Sequence, residues 1–188
     1  YHHLSGGLIR FQQLINKYNI LVAGMSHYHA AEMQRRLKTK TFVLYNPVSE
    51  YAHPQSLKAS DVKKFKFVYL SAPSKALKHA CEVLSALKRT NVNVWMVSFR
   101  PKYAINSGFP PECGSLIADR SLIIKEPTSL AHVLDEVASS FSVLFPGGYA
   151  ETFGNAHFES NCVGTPVLAE ATGSLPEILQ NSEAQLLP

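Results

Sequence analysis

The sequence lacks any long apolar run. No stretch approaches the roughly 18 consecutive apolar residues that a membrane-spanning helix needs, and residues 1–7 do not form the basic and then apolar pattern of a signal peptide. We therefore expect neither a membrane span nor an export signal. The chain begins with Tyr1 rather than Met, which predicts that it is a piece of a longer protein.

Cysteine is scarce, with only Cys81, Cys113 and Cys162 in 188 residues. An odd number at long spacings, without a C-x-x-C pair, indicates neither a disulfide framework nor a zinc ribbon. This pattern favours a reducing compartment and predicts a cytoplasmic protein, either free or peripheral to a membrane.

Basic residues are absent from the last third of the chain. All 18 Lys and Arg lie at or before Lys125, where six acids leave a net charge of +12, and eight acids follow with no Lys or Arg. Nucleic-acid-binding surfaces gather Arg and aromatic residues in one patch, whereas the basic clusters here are short. We predict solvated faces and no nucleic-acid partner. The clusters are Arg35, Arg36, Lys38 and Lys40, and Lys63, Lys64 and Lys66.

Short apolar, β-branched runs recur along the chain, with helical stretches between them. Their hydrophobicity is nearly continuous rather than alternating, which predicts strands that are buried on both faces of a parallel sheet. Amphipathic helices are predicted over 75–89 and 129–139, the second capped by Thr128 or Ser129. The predicted fold is an α/β, Rossmann-like doubly wound parallel sheet. The seven predicted strands are 20–23, 41–44, 67–70, 92–97, 121–124, 142–145 and 166–169.

Two proline-bearing stretches interrupt this alternation. Residues 46–60 are predicted to be a linker and residues 99–114 a long loop. We place a domain boundary near residue 55, with 1–55 as the tail of one domain and 56–188 as a second.

Several familiar site motifs are missing. The sequence contains no G-x-G-x-x-G, no Walker lysine motif and no G-x-S-x-G, so it lacks the main signals of NAD enzymes, P-loop NTPases and α/β-hydrolases. His27 and His29 do not share a helix face, and no carboxylate completes a metal site with them. His157 and Cys162 are predicted to be structural residues.

The most informative segment runs from Phe145 to Glu159. A buried strand ends at Phe145, a glycine-bearing loop follows, and a helix is predicted to begin near Phe153 or Gly154. Ligands bind in the crevice beyond the carboxyl ends of such strands. The unpaired helix-opening amides of Phe153, Gly154 and Asn155 would suit a phosphate or a sugar oxygen.

Two carboxylates flank this helix start. Glu151 and Glu159 are eight residues apart. Glu151 is predicted to lie in the loop and Glu159 roughly two turns along the helix, which at about 1.5 Å rise per residue separates them by on the order of 10 Å. They therefore do not share a proton. Their spacing suits the two ends of an extended nucleotide sugar, with its diphosphate on the amides between them. Alternatively, Glu151 is a first-turn carboxylate favoured by the helix dipole and Glu159 lies on a solvated face.

The segment resembles the signature of retaining glycosyltransferases of the GT-B fold, glycosyltransferase family 4. That signature is Glu-x7-Glu, a small residue, Gly, a small residue and Pro-Val, then Gly-x-x-Pro-Glu. Here it is matched by Glu151 and Glu159, by residues 164–167 and by residues 173–177. Residues 69–77 and 22–48 resemble the family more weakly.

The resemblance implies a role for each site residue. Glu151 would contact the donor sugar as the catalytic-site carboxylate and Glu159 the ribose, while Phe153, Gly154 and Asn155 offer amides to sugar and phosphate. Lys75 occupies a position of the family's diphosphate-binding bases. Ala76 replaces the family's Gly, and residues 71–74 contain no Arg, so Lys75 is alternatively a solvated residue.

The function implied is the transfer of a sugar from a nucleoside diphosphate sugar to a hydroxyl acceptor, with retention and without an essential metal or other cofactor. The implied partners are the nucleotide sugar, a carbohydrate or other hydroxyl acceptor, and a missing N-terminal domain or partner subunit. The alternatives are a non-catalytic nucleotide-sugar-binding module, one subunit of a two-chain transferase, and an epimerase, for which no acid–base set is found.

Overall fold

The computed structural model describes residues 5–47, 63–99, 108–126, 128–180 and 185–187, in which helices and strands alternate. Residues 5–47, here called the small unit, contain α1 (Ser5–Tyr18), β1 (Val22–Gly24), α2 (His27–Leu37) and β2 (Thr41–Val43). The described residues from 63 to 187, here called the large unit, contain β3 (Lys63–Tyr69), α3 (Pro73–Arg89), β4 (Trp95–Phe99), a 3-10 turn (Pro111–Cys113), α4 (Gly114–Ala118), β5 (Leu122–Lys125), α5 (Leu130–Ala138), β6 (Ser140–Phe145), α6 (Asn155–Cys162), β7 (Val167–Glu170), α7 (Leu175–Ile178) and β8 (Gln185–Leu187).

The large unit is built on a six-stranded sheet in the order β5-β4-β3-β6-β7-β8, and every neighbouring pair is parallel. The chain first adds strands on one side of β3 and then crosses to add β6, β7 and β8 on the other. The strand order therefore reverses between β3 and β6, where the crevices of doubly wound sheets lie. The predicted fold class is confirmed.

Near-continuous apolar runs form the central strands because both faces of this sheet are covered. Val68, Met96 and Val143 are almost fully buried in one core that includes residues of α3, α5 and α7. The predicted helical stripe of α3 faces this core through Leu77 and Leu84. Ser129 caps α5 by accepting a hydrogen bond from the amide of His132, as one of the two predicted caps.

The small unit is a β-α-β element with an additional helix. Its strands pair in parallel, Val22 opposite Thr41, as a separate two-stranded sheet. Ser26 begins α2 with its side chain accepting from the amide of His29, and Lys38 ends it in the left-handed region. Arg35 and Arg36 lie in the last turn of α2 and pair with Glu32 at its surface, in agreement with the prediction of a solvated face.

Two sequence predictions are wrong in the large unit. Lys66 is not solvated: only 2% of its side chain is exposed, and its Nζ lies 2.6 Å from Glu136 Oε1 and donates to the Glu136 carbonyl. Cys81 and Cys113 are joined in a disulfide between α3 and the 3-10 turn, which leaves Cys162 as the free cysteine. Packing brings these cysteines together although their spacing of 32 residues gives no signal.

The predicted loop over 99–114 contains the 3-10 turn and leads directly into α4. Residues 100–107 and the predicted domain boundary near 55 lie outside the described residues, as does most of the predicted linker. Within the described ranges, no helix has both the length and the apolar character needed to cross a bilayer.

Candidate functional site

A cleft of about 380 Å³ lies at the switch point of the large sheet. Its floor comes from Leu70 and Ser71, which follow β3, and its opposite wall from the loop between β6 and α6. The small unit adds residues that follow β1 and β2. The lining side chains are Met25, Asn46, Leu70, Ser71, Lys75, Glu151, Thr152, Phe153, Gly154, Asn155, Ala156 and His157.

Lys75 and Glu151 meet in this cleft across 76 positions of sequence. Pro73 begins α3, so Lys75 lies in its first turn and points across the crevice. Its Nζ is 2.6 Å from Glu151 Oε1 and 4.5 Å from the centre of the Tyr149 ring. Only 22% of its side chain is exposed, which disfavours the alternative of a solvated residue, and its role toward a diphosphate remains a prediction. Glu151 is buried, with Lys75 as its charge partner.

Gly173 explains why a glycine follows β7 in this segment. Its φ is +61°, and a Cβ there would lie 2.5 Å from the carbonyl oxygen and 2.6 Å from the nitrogen of Glu151. Only a glycine therefore lets the two backbones approach. The amide of Ser174 donates to the Glu151 carbonyl at 2.9 Å, and Ser174 Oγ donates to the Phe153 carbonyl. These contacts fix the loop that presents Glu151.

The helix behind the loop begins later than predicted. Gly154 is the N-cap of α6 in the left-handed region, with φ +85°, and Asn155 is the first helical residue. Phe153 therefore precedes the cap, and its ring is buried against Phe158. The unpaired amides of a helix's first turn belong here to Asn155 and Ala156. All of these residues except Phe158 line the cleft.

Glu159 lies about one turn along α6 rather than the expected two, and it is not among the residues that line the cleft. It is half-buried, and burial raises the pKa of its carboxyl. The structure therefore brings Lys75, Glu151, Phe153, Gly154 and Asn155 together and leaves Glu159 on the adjoining face. Its ribose-binding role remains a prediction.

His157 forms the inner wall of the cleft, as the expected structural histidine. It is 1% exposed, and its ring lies 4.4 Å from that of Phe145. Burial, reinforced by the nearby charge of Lys75, lowers the pKa of His157 to about 4. The ring is therefore neutral at physiological pH.

Three residues that the sequence analysis missed tie the small unit to this site. Ser26 Oγ donates to the Thr152 carbonyl at 2.6 Å, and Asn46 Nδ2 donates to Asn155 Oδ1 at 2.8 Å. Glu177 accepts from the amides of His27 and Tyr28 and from the hydroxyl of Tyr45.

Glu177 was visible as the last residue of the Gly-x-x-Pro-Glu element, but its partners lie 132 to 150 positions away. Burial opposes ionisation of Glu177, but the hydrogen bonds from His27, Tyr45 and Tyr28 outweigh it and lower its pKa. In the described parts of the chain, no three His, Cys, Asp or Glu side chains are placed to hold a metal ion.

Comparison with solved structures identifies the fold. Alr3699/HepE from Anabaena, solved with UDP and glucose, superposes with a TM-score of 0.72 over 94% of this chain and 51% of its own, at 17% identity. A glycosyltransferase from Rickettsia africae gives 0.68 over 92% and 50%, at 14% identity. This chain has the Rossmann-like half of the GT-B fold.

A third structure with this GT-B half is TarM from S. aureus, in a complex that contains UDP, with a TM-score of 0.70 over 95% of this chain and 36% of its own, at 15% identity. The chain thus spans about half the length of HepE and of the Rickettsia protein. No family model and no curated protein matches the sequence.

Proposed function

We propose that this chain is the donor-binding part of a retaining glycosyltransferase, of the hexosyltransferase type and family 4-like, that uses a nucleoside diphosphate sugar and acts in carbohydrate biosynthesis. The observation that carries the proposal is the meeting of Lys75, Glu151 and the first turn of α6 in one cleft at the switch point. A cation and free amides suit a diphosphate, and a buried carboxylate beside them suits sugar hydroxyls. UDP is the first ligand to test, because HepE and TarM were solved with it.

Each group has one task in the proposed reaction. The acceptor oxygen bonds to the anomeric carbon on the face from which the diphosphate leaves, and the acceptor proton passes to the departing phosphate. Lys75 and the amides of Asn155 and Ala156 stabilise the negative charge that develops on that phosphate. Glu151 orients the sugar through its hydroxyls and does not attack it. No essential metal is required by this scheme.

Glu151 competes with a bound diphosphate for Lys75. The Lys75 ammonium already neutralises Glu151 at 2.6 Å, so a bound diphosphate must share or take over that cation. Removal of the Glu151 carboxylate should therefore not lower the affinity for UDP, because it frees Lys75 to contact the diphosphate. A nucleotide sugar, in contrast, loses its sugar contact in the same variant.

Calorimetry with UDP and UDP-glucose tests this assignment. We expect Glu151→Ala to lower the affinity for UDP-glucose by roughly tenfold or more. The affinity for UDP should stay unchanged or rise slightly. Glu159→Ala should weaken both ligands alike if it holds the ribose. Equal losses of both ligands in both variants would show that the two roles are misassigned.

Lys75→Met tests the diphosphate contact, with Lys78→Met as its matched control. Lys78 lies on the same helix, half-exposed, and pairs with Glu112 away from the cleft. Lys75→Met should lower the affinity for UDP more than that for UMP. It should also flatten the salt dependence of UDP affinity, since about 1 M salt shortens the Debye length to about 3 Å and screens a contact between charges. Wild-type affinity and salt dependence in Lys75→Met would remove Lys75 from the site.

The alternative is a non-catalytic module or one subunit of a two-chain transferase. The chain spans about half the length of HepE. We expect the 188-residue chain to bind UDP but to transfer little sugar, because closure of two domains normally excludes water and completes such a site. Robust transfer by the purified chain alone would refute this expectation.

A further inference from the structure

A second cleft of about 390 Å³ adjoins the first. The two share Asn46 and Phe153 as a common wall, so a molecule in the second cleft would lie beside the first. Its lining comes from the end of the small unit, from α6 and from the chain around α7. The residues are Tyr45, Asn46, Phe153, Phe158, Glu177, Ile178 and Gln180.

The wall of the second cleft is a row of aromatic rings. The centres of the Tyr45 and Phe153 rings are 6.1 Å apart, and those of Phe153 and Phe158 are 5.9 Å apart. Ile178 extends this apolar surface. Tyr45 is half exposed, so the row is accessible at one end.

The polar groups of the second cleft are largely occupied. Both oxygens of Glu177 accept hydrogen bonds, from two backbone amides of α2 and from the Tyr45 hydroxyl. The Asn46 amide nitrogen donates to Asn155. Within the described residues, the Gln180 amide and Asn46 Oδ1 are the lining groups for which no hydrogen bond to the protein is found.

This combination selects against a polar ligand. An oligosaccharide that enters must exchange its hydration for hydrogen bonds to the protein, and few side-chain groups of the cleft in the described chain remain to make them. Aromatic and aliphatic groups lose nothing of this kind and gain from burial against the rings.

We propose that the second cleft binds the apolar body of the acceptor, an aryl or alkyl group that carries the reacting hydroxyl, and holds it beside the donor cleft. This inference rests on the proposed function and names the acceptor's class. Through Phe153 and Asn46, the bound body would lie against the loop that presents Glu151.

The test uses the full chain saturated with UDP and two probes, n-octyl β-glucoside below its micelle concentration and methyl β-glucoside, titrated by NMR. The probes share a sugar and differ in their apolar part. Octyl glucoside should bind at least about tenfold more tightly, the factor expected from burying two methylene groups. Equal affinity of the two probes would overturn the proposal.

Two variants locate the octyl group, with UDP affinity as the check on folding. Phe158→Ser and Ile178→Asn should each lose most of the octyl glucoside affinity and keep that for UDP, because neither residue lines the first cleft. Phe141→Ser is the matched control, since Phe141 is an exposed aromatic residue that lines neither cleft. Octyl glucoside binding that is unaffected by both cleft variants, or equally weakened by Phe141→Ser, would refute the proposal.

Failure of the proposed function has a different signature. A wild-type chain that binds no UDP or UDP-sugar refutes the donor role. If octyl glucoside then still binds in a manner that depends on Phe158, the apolar cleft is real but its assignment to an acceptor is overturned.

Discussion

The small and large units have the same β-α-β construction but differ in how they are held together. The large unit buries 26 residues in one core around its six-stranded sheet, whereas the small unit has a cluster of three buried residues, Ile15, Val22 and Leu37. Ten of the fifteen large apolar side chains that are exposed in the described chain lie between residues 9 and 45.

Hydrogen bonds therefore contribute a larger share of the stabilising contacts in the small unit. Ser26, Asn46 and the amides at the start of α2 bind the loops around the cleft through Thr152, Asn155 and Glu177. The difference implies that the large unit is stable through its own core, and that the small unit is ordered where it contacts the candidate site. Four predictions test this contrast, in decreasing order of effect.

The largest difference should come from truncating one core residue in each unit. Leu84→Ala removes a fully buried side chain of α3 and should lower the free energy of unfolding by about 3 kcal/mol. Ile15→Ala, the equivalent truncation in the small unit, should leave the main transition within about 0.5 kcal/mol. Denaturant unfolding measures both, and equal losses in a single transition would break the contrast.

The buried ion pair of the large unit should respond to both mutation and pH. Glu136→Gln leaves Lys66 without its charge partner, and we expect a loss of about 3 kcal/mol at pH 7. Burial opposes ionisation of Glu136, but Lys125 and Lys66 outweigh it and lower its pKa to about 2. Its contribution is therefore fully present above about pH 4.5 and is lost as the pH falls toward 2.

Unfolding curves from pH 5 to 2 check this prediction. Stability should fall less steeply in Glu136→Gln than in the wild type. Glu32→Gln is the control in the small unit, where the carboxylate pairs with exposed arginines and we expect no measurable change in stability. A wild-type slope in Glu136→Gln would contradict the assignment.

Gly173 and Gly164 compare backbone strain with and without a close neighbour. Both have positive φ, but a Cβ at Gly164 meets open space, whereas one at Gly173 overlaps the Glu151 backbone. Gly164→Ala should cost about 1 kcal/mol and Gly173→Ala at least about 2 kcal/mol. Gly173→Ala should also weaken UDP-glucose in calorimetry, and equal effects of the two variants would show that the close approach is unimportant.

The smallest change is expected from Glu177→Gln, which weakens the attachment of the small unit. We expect about 1 kcal/mol or less from the loss of charge-assisted hydrogen bonds, with faster amide hydrogen exchange at His27 and Tyr28. The main unfolding transition of the large unit should not move. Unchanged exchange at both amides would show that Glu177 does not hold α2.

Local sequence features predicted the strands of the large sheet well, because a strand buried on both faces must be apolar along its whole length. The predicted strand 142–145 lies within β6, which begins two residues earlier, and the predicted strand 166–169 corresponds to β7 with a shift of one residue. The short elements α4, α7 and β8 escaped prediction, since three to five residues give no periodicity. The helix start at Asn155 was missed by one residue, because Gly154 takes the cap in a left-handed conformation that sequence alone does not reveal.

By itself, the sequence determined the fold class and the place of the cleft, because β-branched runs, glycines and the Glu-x7-Glu spacing are local and follow a strand end directly. Only the tertiary structure decided which groups meet. The pairing of Lys75 with Glu151, the burial of Lys66, the Cys81–Cys113 bond and the contact of Glu177 with α2 join residues 32 to 150 positions apart. The charge and hydrogen-bond state of such side chains depends on what the packed sheet places beside them, and no property of the neighbouring sequence encodes that environment.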